Sequence, residues 1–293
     1  MSVRTGAAVI DDTGVAAGPT PAGEVQGWVR GYLHNHPIAS LETVGGQIVL
    51  GLRAIQYLFV GIFRGRFNVK EFLDQMAFMS GTAFTPTILV TIPISVTLSI
   101  QFALLAGQVG ASSLAGAATG MVVIRQGAPL VASLLLATAV GSAVCADLGS
   151  RTMREEIQAM EVMGVSSIER LVVPRLAALV LIGMLLTGVT SFVGYVASYL
   201  FNVYIQNGTP GSFIATFSSF STVGDLTLAM VKAIVFAVLV AVISCHKGLA
   251  TRGGPAGVAN SVNAAVVEAV LLMMIVNVVM SKLYVVLFPQ QVL

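Results

Sequence analysis

The stretch DLGSRTMREEIQAMEVMGVSSIERLVVPR, residues 147–175, decides how the chain is organised. It contains nine charged residues out of the chain's 15 basic and 13 acidic ones. Residues 75–124 and 176–224 contain none. A short charged segment between two long apolar ones is typical of a cytoplasmic connection between membrane spans. We therefore interpret this stretch as the place where a partner that supplies energy binds.

The first part of the stretch predicts a short helix. Thr152 and Glu155 have the spacing of a capping box, which predicts that the helix begins near Met153. Gly164 is placed to end this helix in the left-handed conformation. The helix would present an apolar face of four side chains: Met153, Ile157, Met160 and Met163.

The second part predicts another helix that leads into the membrane. Ser166 and Glu169 repeat the capping-box spacing, and Pro174 predicts an end or a kink soon after. Because capping boxes are common, spacing alone also fits an ordinary charged loop in the cytosol.

The composition identifies a membrane protein. Hydrophobic residues make up 56% of the 293-residue chain and charged residues 10%, whereas soluble domains contain about 25% charged residues. The 30 glycines suit close packing of helices in lipid. Cys145 and Cys245 lie near the cytosolic ends of two predicted spans, so we expect buried thiols rather than a disulfide.

The apolar segments predict an all-α polytopic membrane protein with an N-terminal interfacial amphipathic helix and five transmembrane helices. Residues 1–36 are expected to be a flexible cytoplasmic tail, 37–82 the interfacial helical segment and 83–293 the membrane domain. A first span is the alternative for residues 38–63. The five predicted spans are residues 83–107, 128–146, 176–199, 226–245 and 269–288.

The distribution of basic residues predicts the orientation. The proposed outer connections contain one basic residue, Arg125. The proposed cytoplasmic connections contain nine: Arg64, Arg66, Lys70, Arg151, Arg154, Arg170, Arg175, Lys247 and Arg252. By the positive-inside rule, the N-terminus lies in the cytoplasm and the C-terminus outside.

Several smaller expectations follow from this layout. Residues 110–120 would form an outer turn, and residues 206–224 an outer loop with a short helix on the membrane surface. Lys232 and Lys282 would extend toward the outer surface. Glu268 would lie at the membrane interface rather than couple transport to protons.

The sequence gives little support for chemistry carried out by this chain itself. It contains no Walker A motif, so no nucleotide is expected to bind by that route. His34, His36 and His246 have no neighbouring metal ligands in the sequence. We therefore expect a transporter subunit rather than an enzyme, with no catalytic residue, no metal site and no cofactor of its own.

The run CADLGSRTMREEIQAMEVMGVSSIERLVVPR resembles the signature of the MlaE/YrbE permease family, which reads approximately AELGxMxxxEQIDALEVMGVDPIxxLVVPR. The resemblance extends from about Phe67 to the C-terminus and includes Gln75, Gln101 and the KGLATRGGPAGV loop. The matching positions in the run are Asp147, Leu148, Gly149, Glu155, Glu156, Ile157, Ala159, Met160, Glu161, Val162, Met163, Gly164, Val165, Pro174 and Arg175.

This resemblance implies the membrane subunit of an ABC system that moves lipids. The wording CADLGSRT and RGGPxGV is closest to the actinobacterial (mycobacterial) YrbE A-type subunit of Mce systems. It implies the bacterial inner (plasma) membrane, a heterodimer with a B-type YrbE permease, a cytosolic ABC ATPase dimer that binds ATP and Mg²⁺, and an extracytoplasmic ring of Mce proteins. The substrate would be a fatty acid, mycolic acid or sterol, with import preferred on the Mce resemblance alone.

The chain departs from the family pattern at three points. Gln126 replaces the acid of a frequent RELGP sequence, and Ala139 replaces the arginine of AGRxGS. Ser166 and Ser167 replace the usual Asp-Pro. A role in headgroup binding or ion pairing at 126 and 139 is therefore in question.

Residues 153–163 are interpreted as a coupling helix that sits in a groove of the ATPase. The residues assigned to it are Arg154, Glu155, Glu156, Ile157, Met160, Glu161, Met163 and Gly164. A substrate path is assigned to Gln101, Leu98, Leu105, Leu134 and Thr138. Two alternatives remain: a membrane scaffold that anchors an Mce-like assembly, and an integral-membrane enzyme that acts on lipids.

Overall fold

The fold is helical throughout the part of the chain that the structure describes. That part of the computed structural model comprises residues 43–61, 68–108, 110, 119–120, 122–206, 208–221 and 223–287. The predicted tail, residues 1–36, lies outside it. Contacts divide the chain into two units, residues 1–48 and 49–293. All packing described below lies within the second unit.

Eight helices can be followed in chain order. They are α1 Thr43–Gly61, α2 Val69–Gln108, α3 Val123–Met153, α4 Glu156–Val162, α5 Ile168–Tyr204, α6 Pro210–Phe220, α7 Val223–Leu249 and α8 Gly254–Leu287. Six of these helices, all except α4 and α6, are long and apolar enough to cross a membrane. The prediction of an all-α polytopic membrane protein is confirmed.

The N-terminal part of the fold differs from the prediction in one respect. Helix α2 begins at Val69 and runs without a break through Ala83, so the predicted boundary between residues 82 and 83 lies inside a helix. Pro86 and Pro93 lie within α2, as membrane helices tolerate. Helix α1 is the least apolar of the six long helices, and its position along or across the membrane stays a prediction.

The two predicted connections have different outcomes. Most of the predicted turn at residues 110–120 lies outside the described residues. The short helix predicted within residues 206–224 is present as α6.

The centre of the second unit is formed by α3, α5 and α7. Its buried side chains include Leu136, Leu179 and Ala237. Small residues allow these helices to approach closely. A Cβ atom at Gly183 would lie 3.0 Å from the Cβ of Ala237, and one at Gly141 would lie 2.9 Å from the Oγ of Ser244.

Two of the long helices contain π-helical turns. In α3 these turns are Val123–Gly127 and Leu136–Gly141, and α5 begins with a third, Ile168–Val172. The α-helical part of α5 starts at Val173, so Pro174 lies in its first turn. A proline in a first turn costs little because its missing N–H needs no helical partner. An end at Pro174 is therefore wrong, whereas the alternative of a kink stays a prediction.

Candidate functional site

The charged stretch forms a short connection between α3 and α5, with α4 in its middle. Helix α3 continues to Met153, and the chain then turns at Arg154 and Glu155. The Glu155 N–H donates to the Thr152 carbonyl oxygen at 3.1 Å. Glu155 has φ 60° and ψ 13°, the left-handed conformation, which is uncommon for a residue with a side chain.

The predicted capping box at Thr152 and Glu155 is therefore wrong. Thr152 is still part of α3, where its hydroxyl donates to the carbonyl oxygens of Leu148 at 2.9 Å and Gly248 at 3.2 Å. Because this hydroxyl is bound to carbonyl oxygens of α3 and α7, it does not cap the start of a new helix. A sharp left-handed turn starts α4 at Glu156 instead.

The C-terminal end of α4 follows the prediction. Gly164 has φ 76°. Its N–H donates to the Glu161 carbonyl oxygen at 3.0 Å, and the Val165 N–H donates to the Met160 carbonyl oxygen at 2.9 Å. These two bonds define a Schellman motif. The prediction of a left-handed glycine at this position is confirmed.

The predicted cap at the start of α5 also has support in the structure. The Ser166 Oγ accepts a hydrogen bond from the Glu169 N–H at 3.4 Å. Helix α5 then begins at Ile168.

The apolar side chains of this segment divide into two sets. Ile157 is 8% exposed and belongs to the central core, and Met160 packs against that core. Met153 and Met163 face outward, as does Val162, which is 89% exposed. Ile157 and Met160 therefore hold α4 against the protein. Sequence reasoning did not assign Val162, although it lies within the motif.

The charged side chains of the segment lie mainly on its outer surface. The Arg154 Nε donates to the Glu156 Oε1 at 2.8 Å, and both side chains are about half exposed. Glu161 is exposed, and its Oε1 accepts a hydrogen bond from the Ser167 hydroxyl at 3.0 Å. Glu155 is exposed as well. The outer face of the segment thus combines acids with isolated large apolar side chains.

An ion pair between a buried arginine and a partly exposed aspartate joins the two ends of the connection. Asp147, in α3, accepts a hydrogen bond at its Oδ2 from the Arg175 Nη2 at 2.5 Å. Its Oδ1 accepts one from the Arg151 Nε at 3.2 Å. Arg175 is fully buried, and its Nη1 donates to the Leu171 carbonyl oxygen at 2.8 Å. The end of α3 and the start of α5 are therefore fixed to each other beneath α4.

A groove of about 710 Å³ lies next to α4. It is lined by Thr152, Met153, Glu155, Gln158 and residues 249–254. Residues 249–254 include the whole connection between α7 and α8. Glycine is required at two positions here, one in the connection and one in the last turn of α7. Gly253 has φ 90°, and a Cβ atom at Gly248 would lie 2.8 Å from the Cβ of Leu148.

A second polar cluster lies at the opposite ends of these helices, and it corrects the expectation for Lys232. The Lys232 side chain is fully buried rather than extended toward the surface. Its Nζ donates to the Arg125 carbonyl oxygen at 3.1 Å, the Gln126 Oε1 at 3.1 Å and the Ser281 Oγ at 2.9 Å. These polar atoms, contributed by α3 and α8, satisfy the ammonium inside the protein. The Asn277 Nδ2 also donates to the Gln126 Oε1, at 3.4 Å.

Other ionic contacts lie near the ends of the helices. Arg125 forms an ion pair with Asp225, which is 1% exposed. Lys282 is exposed. Glu268 pairs with Lys247 at 2.8 Å, and both side chains are partly exposed. A single-sequence pattern gives no sign of these pairings.

The residues assigned to a substrate path lie at or near the surface of the described structure. Gln101, Leu105 and Thr138 are exposed, while Leu98 and Leu134 are half-buried. The Thr138 hydroxyl donates to the Leu134 carbonyl oxygen at 2.9 Å, so its hydrogen bond is made within its own helix.

The groups that could carry other chemistry are few. Cys145 and Cys245 are both buried and have free thiols. Within the described ranges, no group of three His, Cys, Asp or Glu side chains could hold a metal ion.

Comparison with known proteins identifies the family. The profile of the family described as Permease MlaE matches residues 72–283. A probable ABC transporter permease protein of Synechocystis is 30% identical over 226 residues, which cover 77% of this chain and 86% of the relative. Protein TRIGALACTOSYLDIACYLGLYCEROL 1, chloroplastic, of Arabidopsis thaliana is 26% identical, over 84% of this chain and 67% of its own length. A probable ABC transporter permease protein of Rickettsia bellii is 27% identical, over 55% and 62% respectively. The chain therefore belongs to the MlaE permease family of ABC transporters.

Proposed function

We propose that this chain is one permease subunit of an ATP-driven lipid transporter of the Mce type. Its partners would be a B-type YrbE permease, two copies of a cytosolic ABC ATPase and an extracytoplasmic ring of Mce proteins. The substrate would be a fatty acid, mycolic acid or sterol, and the direction import. The family implies the ATPase, which would bind ATP and Mg²⁺ in place of this chain. One relative is named after a galactolipid, which supports a lipid as the substrate class.

The observation that carries the proposal is the construction of the segment around α4. Ile157 and Met160 attach its inner side to the core, whereas Val162, Met163 and Glu155 are exposed on its outer side. A docking element needs both a rigid base and a surface that a partner can bury. Large exposed apolar side chains next to charges are typical of a contact surface.

The same contacts indicate how a movement of the ATPase would be transmitted to the membrane spans. The ATPase would press on α4 when it closes around ATP. Because Arg175 and Asp147 bind the ends of α3 and α5 to each other, the two spans would tilt together. That movement would open or close a lipid-sized space between the two permeases.

A first test replaces Val162 by aspartate. Val162 is 89% exposed, so the change should leave the fold intact, but it would place a charge in the centre of the ATPase contact. We expect co-purification of the ATPase from the native cell to fall at least about tenfold, as for an interface residue worth about 1.4 kcal/mol or more. The matched control is Val223→Asp, at an 80% exposed position at the start of α7.

Charge reversal of Glu155, Glu156 and Glu161 separates the transporter from the scaffold. The transporter reading expects loss of ATPase binding and of lipid transport, whereas a scaffold would keep both. Reversal of Asp74 and Glu169, which are exposed acids outside α4, controls for four of the six units by which the triple variant changes the net charge. Normal transport by the triple variant would show that the coupling assignment is wrong.

The substrate path has a different kind of support. Gln101 is an exposed carboxamide in the long uncharged part of α2. A side chain of this kind is costly against lipid tails and usually faces a partner or a cavity. We infer that this side of α2 faces the space between the permeases, together with part of α3. The other residues assigned to the path are Leu98 and Leu105 on α2, and Leu134 and Thr138 on α3.

Cysteine labelling tests this assignment. Both native cysteines are fully buried, so the background reaction should be low. Gln101→Cys should react with a water-soluble, membrane-impermeant thiol reagent in the assembled complex. Leu271→Cys, at an exposed apolar position of α8, should stay unreactive because lipid covers it. Equal reactivity of the two variants would contradict the path.

A further inference from the structure

A cavity of about 210 Å³ opens beside the ion pair at the base of the coupling segment. Its lining comes from the early part of α2, the end of α3 and the start of α5. The polar side is formed by Gln75, Asp147, Arg151 and Arg175, and the apolar side by Phe78, Ala143 and Val144.

The charges in this lining do not balance. Two guanidinium groups, of Arg151 and Arg175, face the single carboxylate of Asp147, which leaves one positive charge. The Arg175 side chain is 1% exposed, and its Nε has no hydrogen-bond partner among the residues that the structure describes. An unpaired buried N–H costs free energy, so the site is suited to an additional acceptor.

The chemistry of the lining identifies the type of acceptor. Guanidinium groups present planar pairs of N–H donors that match the oxygens of a phosphate. The Gln75 Nε2 donates to the Glu71 Oε1 at 2.9 Å, and the carboxamide has a second N–H for a ligand. The nearby carboxylate of Glu71 favours a phosphodiester with one negative charge over a phosphate with two.

The apolar side of the cavity indicates that the ligand is a lipid. Phe78 is 53% exposed on α2, where it can contact the glycerol and the first acyl carbons. We propose that this cavity binds the phosphodiester of a phospholipid from the membrane leaflet on the side of α4. The bound lipid would fill the space between α2 and the α3–α5 ion pair. This inference goes beyond the proposed transport, because it does not depend on which lipid is carried.

The test measures how much phospholipid remains on the assembled complex. The complex would be purified in mild detergent, supplied with phosphatidylglycerol and examined by native mass spectrometry. Arg151→Gln removes one cation of the cavity and leaves the Arg175–Asp147 pair in place. We expect the retained lipid to fall about tenfold, the loss that one charge-assisted hydrogen bond gives.

The control is Arg170→Gln, which removes an arginine of the same charged stretch that is not assigned to the ATPase contact. Arg170 is exposed and does not line the cavity, so retention should not change. Gln75→Leu removes a donor without changing any charge and should also lower retention.

Three results would overturn the inference. The first is equal retention in the Arg151→Gln, Gln75→Leu and Arg170→Gln variants. The second is equal retention of phosphatidylglycerol and diacylglycerol, which lacks the phosphate. The third is displacement of the lipid by excess inorganic phosphate, which would assign the cavity to a soluble phosphate. A Val162→Asp variant that still binds the ATPase would contradict the coupling assignment and would leave this measurement unaffected.

Discussion

The two ends of the helix bundle each bury a basic side chain, but they satisfy it in different ways. At the end near α4, Arg175 is paired with the carboxylate of Asp147. At the other end, Lys232 is surrounded by a carbonyl, an amide and a hydroxyl oxygen, all formally neutral. Arg175 therefore has one charged partner, whereas the positive charge of Lys232 is stabilised by three neutral oxygen atoms. We therefore expect the two ends to respond differently to single substitutions.

The largest effect is expected for Asp147→Ala. The change leaves the buried guanidinium of Arg175 without its carboxylate, and truncation of one partner in a buried pair costs about 3–5 kcal/mol. The Asp147 side chain is 41% exposed. Water can therefore replace part of the lost interaction, and we expect the lower end of that range. Denaturant unfolding of the purified chain in detergent would measure the change.

Asp74→Ala provides the control for this prediction, because Asp74 is an exposed acid on α2. Its removal should change the free energy of unfolding by less than about 0.5 kcal/mol. Similar unfolding curves for the two variants would mean that the Arg175–Asp147 pair contributes little to the free energy of unfolding. The two ends of the bundle would then differ in geometry but not in stability.

An intermediate effect is expected at the other end. Gln126→Glu gives Lys232 a carboxylate and makes this cluster resemble the one near α4. In the native background the new ion pair should offset the cost of burying a second charge. In a Lys232→Met background the same acid would be buried without its partner. A double-mutant cycle should therefore give a coupling free energy of about 2 kcal/mol between the two sites.

The coupling measured in this cycle identifies the partner of Lys232. A value near zero would show that Lys232 is satisfied mainly by the Arg125 carbonyl and by Ser281. Ser281→Ala then becomes the more informative substitution, with an expected cost of about 1 kcal/mol for a neutral hydrogen bond.

The smallest effects concern the two left-handed residues that flank α4. Gly164→Ala should destabilise the chain by about 1 kcal/mol, because a Cβ atom is disfavoured at φ 76°. Glu155→Gly should be neutral or slightly stabilising, because glycine adopts φ 60° without strain. Thermal unfolding in detergent would measure both changes.

Glu155→Gly also separates stability from docking. Glu156→Gly is its control, since Glu156 is helical and glycine there should cost up to about 1 kcal/mol. A stable Glu155→Gly variant that binds less ATPase would assign the acid to the partner contact. Loss of stability instead would show that the Glu155 side chain supports the fold.

The sequence predicted those features that depend on neighbouring residues. The absence of charge in long segments predicted the spans, and Gly164 was correctly placed because a left-handed helix end has a local signature. The resemblance in the charged stretch identified the family. The capping box at Thr152 was wrong because the hydroxyl binds the carbonyl of Gly248, 96 residues away.

Most of the features that the sequence did not predict depend on distant residues, although the position of Pro174 in a first turn was a local error. Arg175 and Asp147 are separated by 28 positions, and Lys232 is more than 100 positions from Gln126. Nothing in their spacing indicates that they meet. Lys232 was expected at the surface because an unpaired lysine in a span usually extends there. Its partners belong to α3 and α8, and only the packing of these helices against α7 brings them next to the ammonium group.

The length of α5 has a mechanical consequence. The helix runs for 37 residues from Ile168, just after α4, to Tyr204. At about 1.5 Å per residue it is a rod of roughly 55 Å. Because Arg175 holds the rod to α3 near its first turns, that contact would act as the fulcrum of a lever with one short and one long arm if α4 is the coupling helix proposed above. The long arm, from Arg175 to Tyr204, measures roughly 44 Å, so a tilt of only about 5° would displace the far tip by roughly 4 Å, about the width of an acyl chain.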